Sequence, residues 1–238
     1  MLNKLKSDSE YQKILNRYPK KRIELNDEYK KIYKKHYMHN RSGEGIANMI
    51  SQKMEKWMHT KVSKISAMNI LEIGAGNLNH VKYESNFSNY DIVEPFKELY
   101  ENSPQRKNIR NIFKSLEQVN KKYDKILSIA TFEHILNLPK EINLCKKFLN
   151  KNGVLQIAVP CEGEMAFKLG WMLSTGIAFK LKHKLNYSKL MQYEHVNSLK
   201  EISVLLNNNF IVSKFERSPL LLPIKNFSFY AYFECKLI

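Results

Sequence analysis

The hydrophobic residues of the chain recur at helical spacing near its start and in short unbroken runs further on. Between residues 25 and 37, and again between 46 and 58, apolar and aromatic positions follow one another every three or four residues. A polar, glycine-containing segment at 40–45 separates the two stretches. Because no strand is predicted before residue 69, we predict a helical N-terminal extension over residues 1–66 that packs over the first strand.

From residue 67 to 238, short apolar runs alternate with helical patterns. Continuous apolar runs between turn residues indicate strands that are buried on both faces of a sheet. The predicted strands are 69–73, 90–94, 108–113, 123–131, 154–160, 210–215 and 226–236, and the predicted helices begin near Asn79, at Pro95, at Leu138 and at Leu199. Asn152 and Gly153 are predicted to close the third of these helices.

The connections between these elements predict the topology of the sheet. Parallel strands joined by helices need right-handed crossovers, which produce a doubly wound sheet. The last two strands are joined by a loop and therefore pair antiparallel. We predict an α/β fold with a mostly parallel seven-stranded sheet, an antiparallel C-terminal hairpin, and a helical insertion at 161–194 after the fifth strand.

The first two strands carry the strongest chemical signal. The first contains Glu72 and runs into Gly74 and Gly76, and the second ends on Glu94, eighteen residues beyond Gly76. Two glycines allow the backbone to turn sharply beneath a ligand. The carboxyl ends of neighbouring parallel strands meet at one edge, where Glu94 can accept hydrogen bonds from a ribose. The pattern predicts a nucleotide-like cofactor at this edge.

The residues after the two glycines separate two classes of cofactor. Dinucleotide-binding folds carry a third glycine where this chain has Asn79, so that a helix N-terminus can approach a pyrophosphate. The glycine bend and its two acids instead resemble motifs I and II of the class I S-adenosylmethionine-dependent methyltransferases. That family often has a further glycine where this chain has Leu78. The resemblance covers residues 69–236 and implies S-adenosylmethionine as cofactor, with S-adenosylhomocysteine as product.

The same resemblance implies a cofactor site built from the ends of four strands. Ser115 and Leu116 stand where the family lines the adenine, often with an acid at the position of Ser115. Arg41 in the N-terminal extension can pair with the methionine carboxylate. The predicted cofactor-binding residues are Glu72, Gly74, Ala75, Gly76, Asn79, Glu94, Pro95, Ser115, Leu116, Ala130, Thr131 and Arg41.

The stretch after the fourth strand, Phe132-Glu133-His134, resembles motif IV of many small-molecule methyltransferases. An imidazole, with an unperturbed pKa of about 6.5, is a usable base beside a reacting hydroxyl or amine. Both polar residues could instead satisfy the backbone at a helix N-terminus, and His195 could be a structural histidine. The predicted catalytic residues are His134 and His195, the predicted substrate residues are Tyr37, Glu133, Glu162 and Glu194, and no metal ligand is predicted.

The segment 194–197 is similar to methyltransferases of bacterial glycan synthesis. The resemblance implies a small-molecule acceptor, namely a hydroxyl or amine of a sugar in surface polysaccharide (O-antigen or capsule) biosynthesis, free or linked to a nucleotide or lipid carrier. Three alternatives stay open: an RNA methyltransferase, a nicotinamide oxidoreductase, and a non-catalytic binding protein that kept the fold.

Charge and cysteine content bear on whether the protein binds nucleic acid and on its cellular compartment. The formal charge is +16, but only six of the 39 basic residues are Arg, and the Lys are scattered through an Asn-rich sequence. This distribution favours solvated faces over a nucleic-acid footprint. Three cysteines at no metal-ligand spacing, together with a polar segment at 1–10, predict a cytoplasmic protein with reduced thiols, either free or at the inner face of the membrane.

The insertion allows three interpretations. Its apolar run at 165–179 is shorter than the ~20 residues that span a bilayer and contains Lys168. The insertion could be a lid over the acceptor, a homodimer contact, or an interfacial helix whose basic end at 180–184 meets anionic lipid. Lid or dimer packing is the simpler of these interpretations.

Overall fold

A computed structural model describes residues 2–39, 55–161, 176–218 and 228–238 of the chain. Its strands are β1 (Asn69–Ile73), β2 (Asn89–Val93), β3 (Ile112–Phe113), β4 (Tyr123–Ile129), β5 (Leu149–Pro160), β6 (Ile211–Ser218) and β7 (Tyr230–Lys236). They form one sheet in the order β3-β2-β1-β4-β5-β7-β6. The first five are parallel, and β7 runs antiparallel to both β5 and β6. The predicted seven-stranded α/β fold is confirmed, including its antiparallel C-terminal hairpin.

The helices flank this sheet. Those of the described residues are α1 (Leu2–Leu15), α2 (Asp27–His39), α3 (55–62), α4 (Lys97–Tyr100), α5 (Leu138–Phe148), α6 (Ile177–His183), α7 (Tyr187–Glu194) and α8 (Leu199–Asn209). Helix α8 begins with a capping box in which Ser198 and Glu201 bond each other's backbone N–H groups. Within the described ranges, no helix combines the length and apolar character that crossing a bilayer requires.

Alternate residues of the central strands pack into two hydrophobic cores, one on each face of the sheet. Leu71 and Ile73 of β1 join the core that α5 and α8 cover, whereas Ile70 lies in the core that contains Met58 and Val62 of α3. Burial on both faces explains why these strands read as continuous apolar runs. At about 25 cal/mol per Å² of apolar area removed from water, these two cores are the main source of stability.

The described N-terminal helices join three different clusters. Ile14 of α1 packs into the core beneath α8, and α2 contributes Tyr29 to a third cluster with Phe179 and Leu190. Helix α3 contributes to the core that contains Ile70 of β1. The fully buried Lys125 of β4 fixes α3 there, because its Nζ donates to the carbonyl oxygen of Val62 at 2.8 Å.

The prediction of a helix near Asn79 is wrong. The chain there forms turns and a short 3-10 helix at Val81–Tyr83 before β2 begins. Leu78 has φ +65°, a left-handed conformation that cannot be part of a right-handed helix. The backbone therefore leaves helical geometry at the position where the helix was predicted to start.

Among the strands, β3 and β5 depart most clearly from their predicted bounds. Strand β3 is only Ile112–Phe113, because Pro104–Asn108 forms a 3-10 helix in front of it. Strand β5 begins at Leu149, so Asn152 and Gly153 lie inside a strand rather than at a helix end. A Cβ on Gly153 would lie 2.9 Å from a methyl group of Leu149 and 3.0 Å from the carbonyl oxygen of Asp124. The glycine therefore permits close strand packing and does not cap α5.

Candidate functional site

The register of the parallel strands places their carboxyl ends at one edge of the sheet. Ile73 of β1 lies opposite Val93 of β2 and Ser128 of β4, and Val93 lies opposite Phe113 of β3. The residues that follow these four strands therefore leave the sheet side by side. This is the edge at which open α/β sheets bind their ligands.

The bend after β1 is built against the end of β4. Gly74 and Gly76 have φ values of +71° and +51°, which glycine adopts without strain. A Cβ on Gly74 would lie 2.3 Å from Oγ1 of Thr131. That hydroxyl is 3.1 Å from the carbonyl oxygen of Ile129 and 3.4 Å from that of Gly74. Glycine at position 74 is therefore required both by the backbone angle and by the contact with Thr131.

Leu78 stands at the position where related methyltransferases often have a glycine, and its backbone takes the left-handed conformation that glycine favours. Its φ of +65° costs about 1–2 kcal/mol in a residue with a Cβ. Its side chain is fully buried in the core beneath α3, which contributes about 1.5–3 kcal/mol. Burial thus offsets the strain, and the loop keeps a left-handed residue without a third glycine.

Glu94 points into the glycine bend. The buried carboxylate accepts hydrogen bonds from the backbone N–H of Gly76 at 2.8 Å and of Phe96 at 3.0 Å. Hydrogen bonds to an ionised group are stronger than neutral ones, so they hold the carboxylate firmly. Each oxygen has further acceptor capacity, which a ribose hydroxyl can use.

Glu72 lies in β1, just before the glycine bend, and its side chain faces the protein interior. Its carboxyl accepts a hydrogen bond from the hydroxyl of Tyr90 at 2.8 Å. Complete burial raises the pKa of Glu72 to about 8, although the hydrogen bond from Tyr90 opposes this shift. The two acids of the motif therefore differ: one accepts backbone hydrogen bonds at the bend and the other lies within the core.

The other predicted cofactor residues are spread around this edge. Ala75 and Leu116 are buried, Ser115 is partly exposed, and Pro95 is exposed. Ala130, with φ +50°, donates its N–H to the carbonyl of Ala158 at 2.8 Å. Exposed Asn79 lines a cavity of about 360 Å³ together with the segment 99–105. Arg41, Glu162 and the side chain of Tyr37 lie outside the described residues.

A second cluster joins Glu133 and His134, which follow β4, to Glu194 and His195 at the end of α7. We name these four residues the acceptor wall, after the role that the sequence predicts for them. The rings of the two histidines lie 4.8 Å apart in an edge-to-face arrangement. His134 Nδ1 is 2.9 Å from the carbonyl oxygen of Glu194. A carbonyl only accepts hydrogen bonds, so Nδ1 carries the proton of the neutral ring and Nε2 presents its lone pair. Nε2 lies 3.7 Å from the carboxylate of the buried Glu133.

Asn197, which the sequence did not single out, holds the acceptor wall in place. Its side-chain amide donates to the carbonyls of Phe132 at 2.8 Å and Ile135 at 2.7 Å. The backbone N–H groups of Val196 and Asn197 donate to the carbonyl of Glu133 at 2.8 and 3.0 Å. The loop before α8 is thus tied to the loop after β4, which brings the two histidines together.

A segment between α1 and α2, the N-terminal strap (residues 18–22), supports the same loops from outside. The hydroxyl of Tyr18 donates to the side-chain oxygen of Asn197 at 2.8 Å. Lys20 donates to the carbonyl of Val196 at 2.6 Å and to the carboxylate of Glu201 at 2.8 Å. This ion pair lowers the pKa of Glu201, against the opposing effect of its burial.

Arg22 is the strap residue that reaches the acceptor wall itself. Its guanidinium donates to the carbonyls of Tyr193, of Glu194 at 3.1 Å and of His134 at 3.2 Å. The rigid fork of an arginine suits several acceptors at once. No local motif marks Arg22, because its partners are backbone carbonyls more than 100 positions away in the chain.

Comparison with known proteins agrees with this geometry. A family described as "Methyltransferase domain" matches residues 35–204. A Thermotoga maritima methyltransferase, titled a possible histamine N-methyltransferase, is 15% identical and aligns over 86% of this chain and 98% of its own with a TM-score of 0.57. A methyltransferase from Clostridium acetobutylicum is 13% identical and aligns over 88% and 98%, with a TM-score of 0.54.

A third solved structure, the plantazolicin methyltransferase BpumL with S-adenosylhomocysteine, is 13% identical and aligns over 100% of both chains with a TM-score of 0.54. At these identities the structures show a shared fold, and no curated protein matches the sequence. The family match covers well over half of the chain and includes the glycine bend and the acceptor wall. The chain therefore belongs to the methyltransferase domain family and is a class I S-adenosylmethionine-dependent methyltransferase.

Proposed function

We propose that the chain transfers a methyl group from S-adenosylmethionine to a hydroxyl or amine of a small-molecule acceptor. The observation that carries this proposal is the acceptor wall, where His134 lies just after β4 and its Nδ1 contacts the carbonyl of Glu194, so that Nε2 carries the lone pair of the neutral ring. The wall follows directly after Thr131, which contacts the glycine bend. A base and the cofactor edge are thus neighbours in the fold.

In the proposed site, residues at the ends of the strands bind the cofactor. Glu94 accepts hydrogen bonds from the ribose, and the backbone around Gly74 and Gly76 lies beneath the nucleoside. Ser115 and Leu116 line the adenine. Arg41 pairs with the methionine carboxylate. The contact of Gly74 with Thr131 supports this arrangement, because it joins the two strand ends that flank the transferring methyl group.

Methyl transfer is an in-line displacement at a sulfonium, and its leaving group is a neutral thioether. The protein has to align the acceptor with its reacting atom about 3–3.5 Å from the methyl carbon, and to exclude water. For a hydroxyl acceptor, the O–C bond forms as the C–S bond breaks. His134 Nε2 takes the hydroxyl proton. His195, with Tyr37, Glu133, Glu162 and Glu194, is proposed to position the acceptor.

The first acceptor to test is a sugar of bacterial surface polysaccharide. The similarity of the segment 194–197 to methyltransferases of glycan synthesis supports this choice. Helix α6 is compatible with a sugar acceptor that is attached to a lipid carrier. Its Leu181 is 79% exposed and lies between the exposed Lys180 and Lys182. A basic, apolar-tipped helix of this kind suits contact with anionic lipid at the inner face of the membrane. A lid or homodimer role for the insertion is the alternative proposal.

The decisive experiment separates binding from chemistry. Calorimetry with S-adenosylhomocysteine measures the cofactor site, and mass spectrometry of nucleotide sugars incubated with S-adenosylmethionine measures methyl transfer. His134→Ala is expected to lower turnover by about 10²–10⁴-fold and to leave the dissociation constant of S-adenosylhomocysteine within about twofold. Lys151→Ala, a change to an exposed residue near the start of β5 and far from the carboxyl ends of the parallel strands, is the control and should affect neither quantity.

Each outcome of this experiment has a clear meaning. Equal turnover in His134→Ala would remove His134 as the base, and failure of the wild-type chain to bind S-adenosylhomocysteine would overturn the cofactor assignment. The charge of +16 permits one other acceptor, an RNA, although the scattered lysines do not favour it. RNA binding whose affinity falls steeply with salt, together with methylated RNA, would replace the sugar proposal.

A further inference from the structure

We propose that Glu133, His134 and His195 bind a divalent transition-metal ion at the acceptor side of the site. One ligand atom from each of these residues can be chosen such that all three atoms lie within 4.8 Å of one another. Two imidazoles and one carboxylate form a ligand set typical of zinc, iron and related ions. The sequence did not predict this site, because Glu133 and His195 are far apart in the chain and follow no metal-ligand spacing.

The distance between the first two ligands fits a single ion. His134 Nε2 and the Glu133 carboxylate are 3.7 Å apart. Metal bonds to imidazole nitrogen and carboxylate oxygen are each about 2.0–2.2 Å long, so two ligand atoms of one tetrahedral ion lie about 3.4 Å apart and never more than about 4.2 Å apart. The three ligand atoms of the cluster lie within 4.8 Å of one another. The most widely separated pair would therefore have to approach by up to about 1.4 Å when the ion binds.

The hydrogen bonds around His134 prepare it as a ligand. A histidine that binds a metal usually donates its other ring N–H to a carbonyl or carboxylate, which fixes its tautomer and orientation. His134 Nδ1 makes this contact with the carbonyl of Glu194 at 2.9 Å. Nε2 is then the atom directed toward Glu133, in the protonation state that a metal requires.

The backbone that carries the ligands is also fixed. The carbonyl of Glu133 accepts two backbone hydrogen bonds from the loop that contains His195. Arg22 binds the carbonyls of Glu194 and His134 at 3.1 and 3.2 Å. Such outer contacts hold ligands within the narrow tolerances of a metal site. The three residues therefore reach the site from two loops that cannot separate without breaking these bonds.

A metal ion would explain how a hydroxyl acceptor loses its proton. Three protein ligands would leave coordination positions for an acceptor oxygen, coordination would lower the pKa of the bound hydroxyl, and its proton would pass to solvent water before the C–S bond breaks. The Nε2 lone pair would then bind the ion, and the ion would replace the imidazole as the group that activates the acceptor. This role rests on the proposed function, whereas binding of the metal can be measured without it.

The test uses the full chain after dialysis against a chelator. Co²⁺ is titrated and followed by its visible d–d absorption, and Zn²⁺ binding is measured by calorimetry. We expect one equivalent of either metal to bind with micromolar affinity or tighter. His195→Ala and Glu133→Gln should each weaken binding by at least about 100-fold, and His183→Ala should change it by less than about twofold. Thermal unfolding without metal verifies that each variant is folded.

The outcomes separate this inference from the proposed function. Absence of saturable metal binding, or equal binding by folded His195→Ala and wild type, would overturn the metal site. Calorimetry with S-adenosylhomocysteine on the same proteins tests the cofactor site independently. Cofactor binding without metal binding would reject only the ion, and metal binding without cofactor binding would reject only the proposed methyl transfer.

Discussion

The proposed cofactor side and acceptor side of the site are assembled in different ways. On the cofactor side, the bonds from Gly76 to Glu94 and from Tyr90 to Glu72 each join residues 18 positions apart. On the acceptor side, the bond from Arg22 to His134 spans 112 positions, and that from Tyr18 to Asn197 spans 179. The glycine bend and its two acids belong to two adjacent strands and their turn, whereas the acceptor wall is held by three distant segments of the chain.

This difference has an energetic consequence. The glycine bend is held by backbone angles and by van der Waals contact with Thr131, which change only if the sheet itself changes. The acceptor wall is held by hydrogen bonds between side chains and carbonyls, each contributing about 0.5–1.5 kcal/mol net, or about 1.5–3 kcal/mol where a charge is involved. The acceptor side can therefore open or vary at lower cost than the cofactor side.

The largest effect is expected at Gly74. Gly74→Ala forces an alanine to φ +71° and places its Cβ 2.3 Å from Oγ1 of Thr131. The left-handed angle costs about 1–2 kcal/mol and the overlap about 1–3 kcal/mol. We expect the free energy of unfolding to fall by about 2–5 kcal/mol in urea titrations, and the affinity for S-adenosylhomocysteine to fall by more than tenfold.

Thr131→Ala supplies the matched test of this contact. It removes the two atoms closest to the added Cβ and leaves only the Cβ of residue 131, at 2.9 Å. The double variant should therefore recover part of the lost stability, with a coupling energy of about 0.5–3 kcal/mol. Simple additivity of the two single variants would show that the bend and the end of β4 are not in contact.

A smaller and different effect is expected from Arg22→Ala. Loss of the guanidinium removes bonds to the carbonyl of Tyr193 and to two carbonyls of the acceptor wall, those of Glu194 and His134. We expect the KM for the acceptor to rise about tenfold, the equivalent of one net hydrogen bond, and the affinity for S-adenosylhomocysteine to change by less than about twofold. Steady-state kinetics with calorimetry measures both quantities.

The neighbouring Lys21 provides the control, because Lys21→Ala removes an equal charge from an exposed position. Arg22→Lys should recover only part of the KM, since an ammonium lacks the planar fork of the guanidinium. An Arg22→Ala variant that weakens cofactor and acceptor binding equally would contradict the separation of the two sides.

The same difference explains what the sequence could predict. Strand β1 was predicted at its observed bounds and β4 began where predicted, because burial on both faces leaves a continuous apolar run. The direction of Glu94 followed from parallel register. These features depend on neighbours in one sheet, so a local pattern contains enough information to predict them.

Features that depend on distant backbone atoms were missed. The N-terminal strap binds mainly carbonyl oxygens, which every residue carries and which no sequence pattern distinguishes. The sequence does not reveal that Leu78 has φ +65°, and a helix was therefore wrongly predicted to begin near Asn79. Gly153 was predicted to be a helix cap, although it serves strand packing against Leu149. In each case the deciding contact lies outside the local pattern.

The effect that is smallest at low pH concerns Glu72, whose contribution to stability changes gradually with pH. Its side chain belongs to the core beside the glycine bend. Burial raises its pKa from 4.5 to about 8, so the folded protein holds a proton that the unfolded chain has lost between these values. The stability from this group is complete below about pH 4.5 and is lost as the pH rises through about 8. The loss is at most about 1.4 kcal/mol per pH unit.

Glu72→Gln isolates this contribution, because the amide stays neutral and its oxygen still accepts the hydrogen bond from Tyr90. Other buried groups, such as His59, whose pKa burial lowers to about 3, titrate in both proteins and cancel in the difference. Thermal unfolding between pH 5 and 8 should show the variant gaining stability relative to wild type as the pH rises. A difference that stays constant over this range would mean that Glu72 is ionised in the folded protein, and that burial does not raise its pKa.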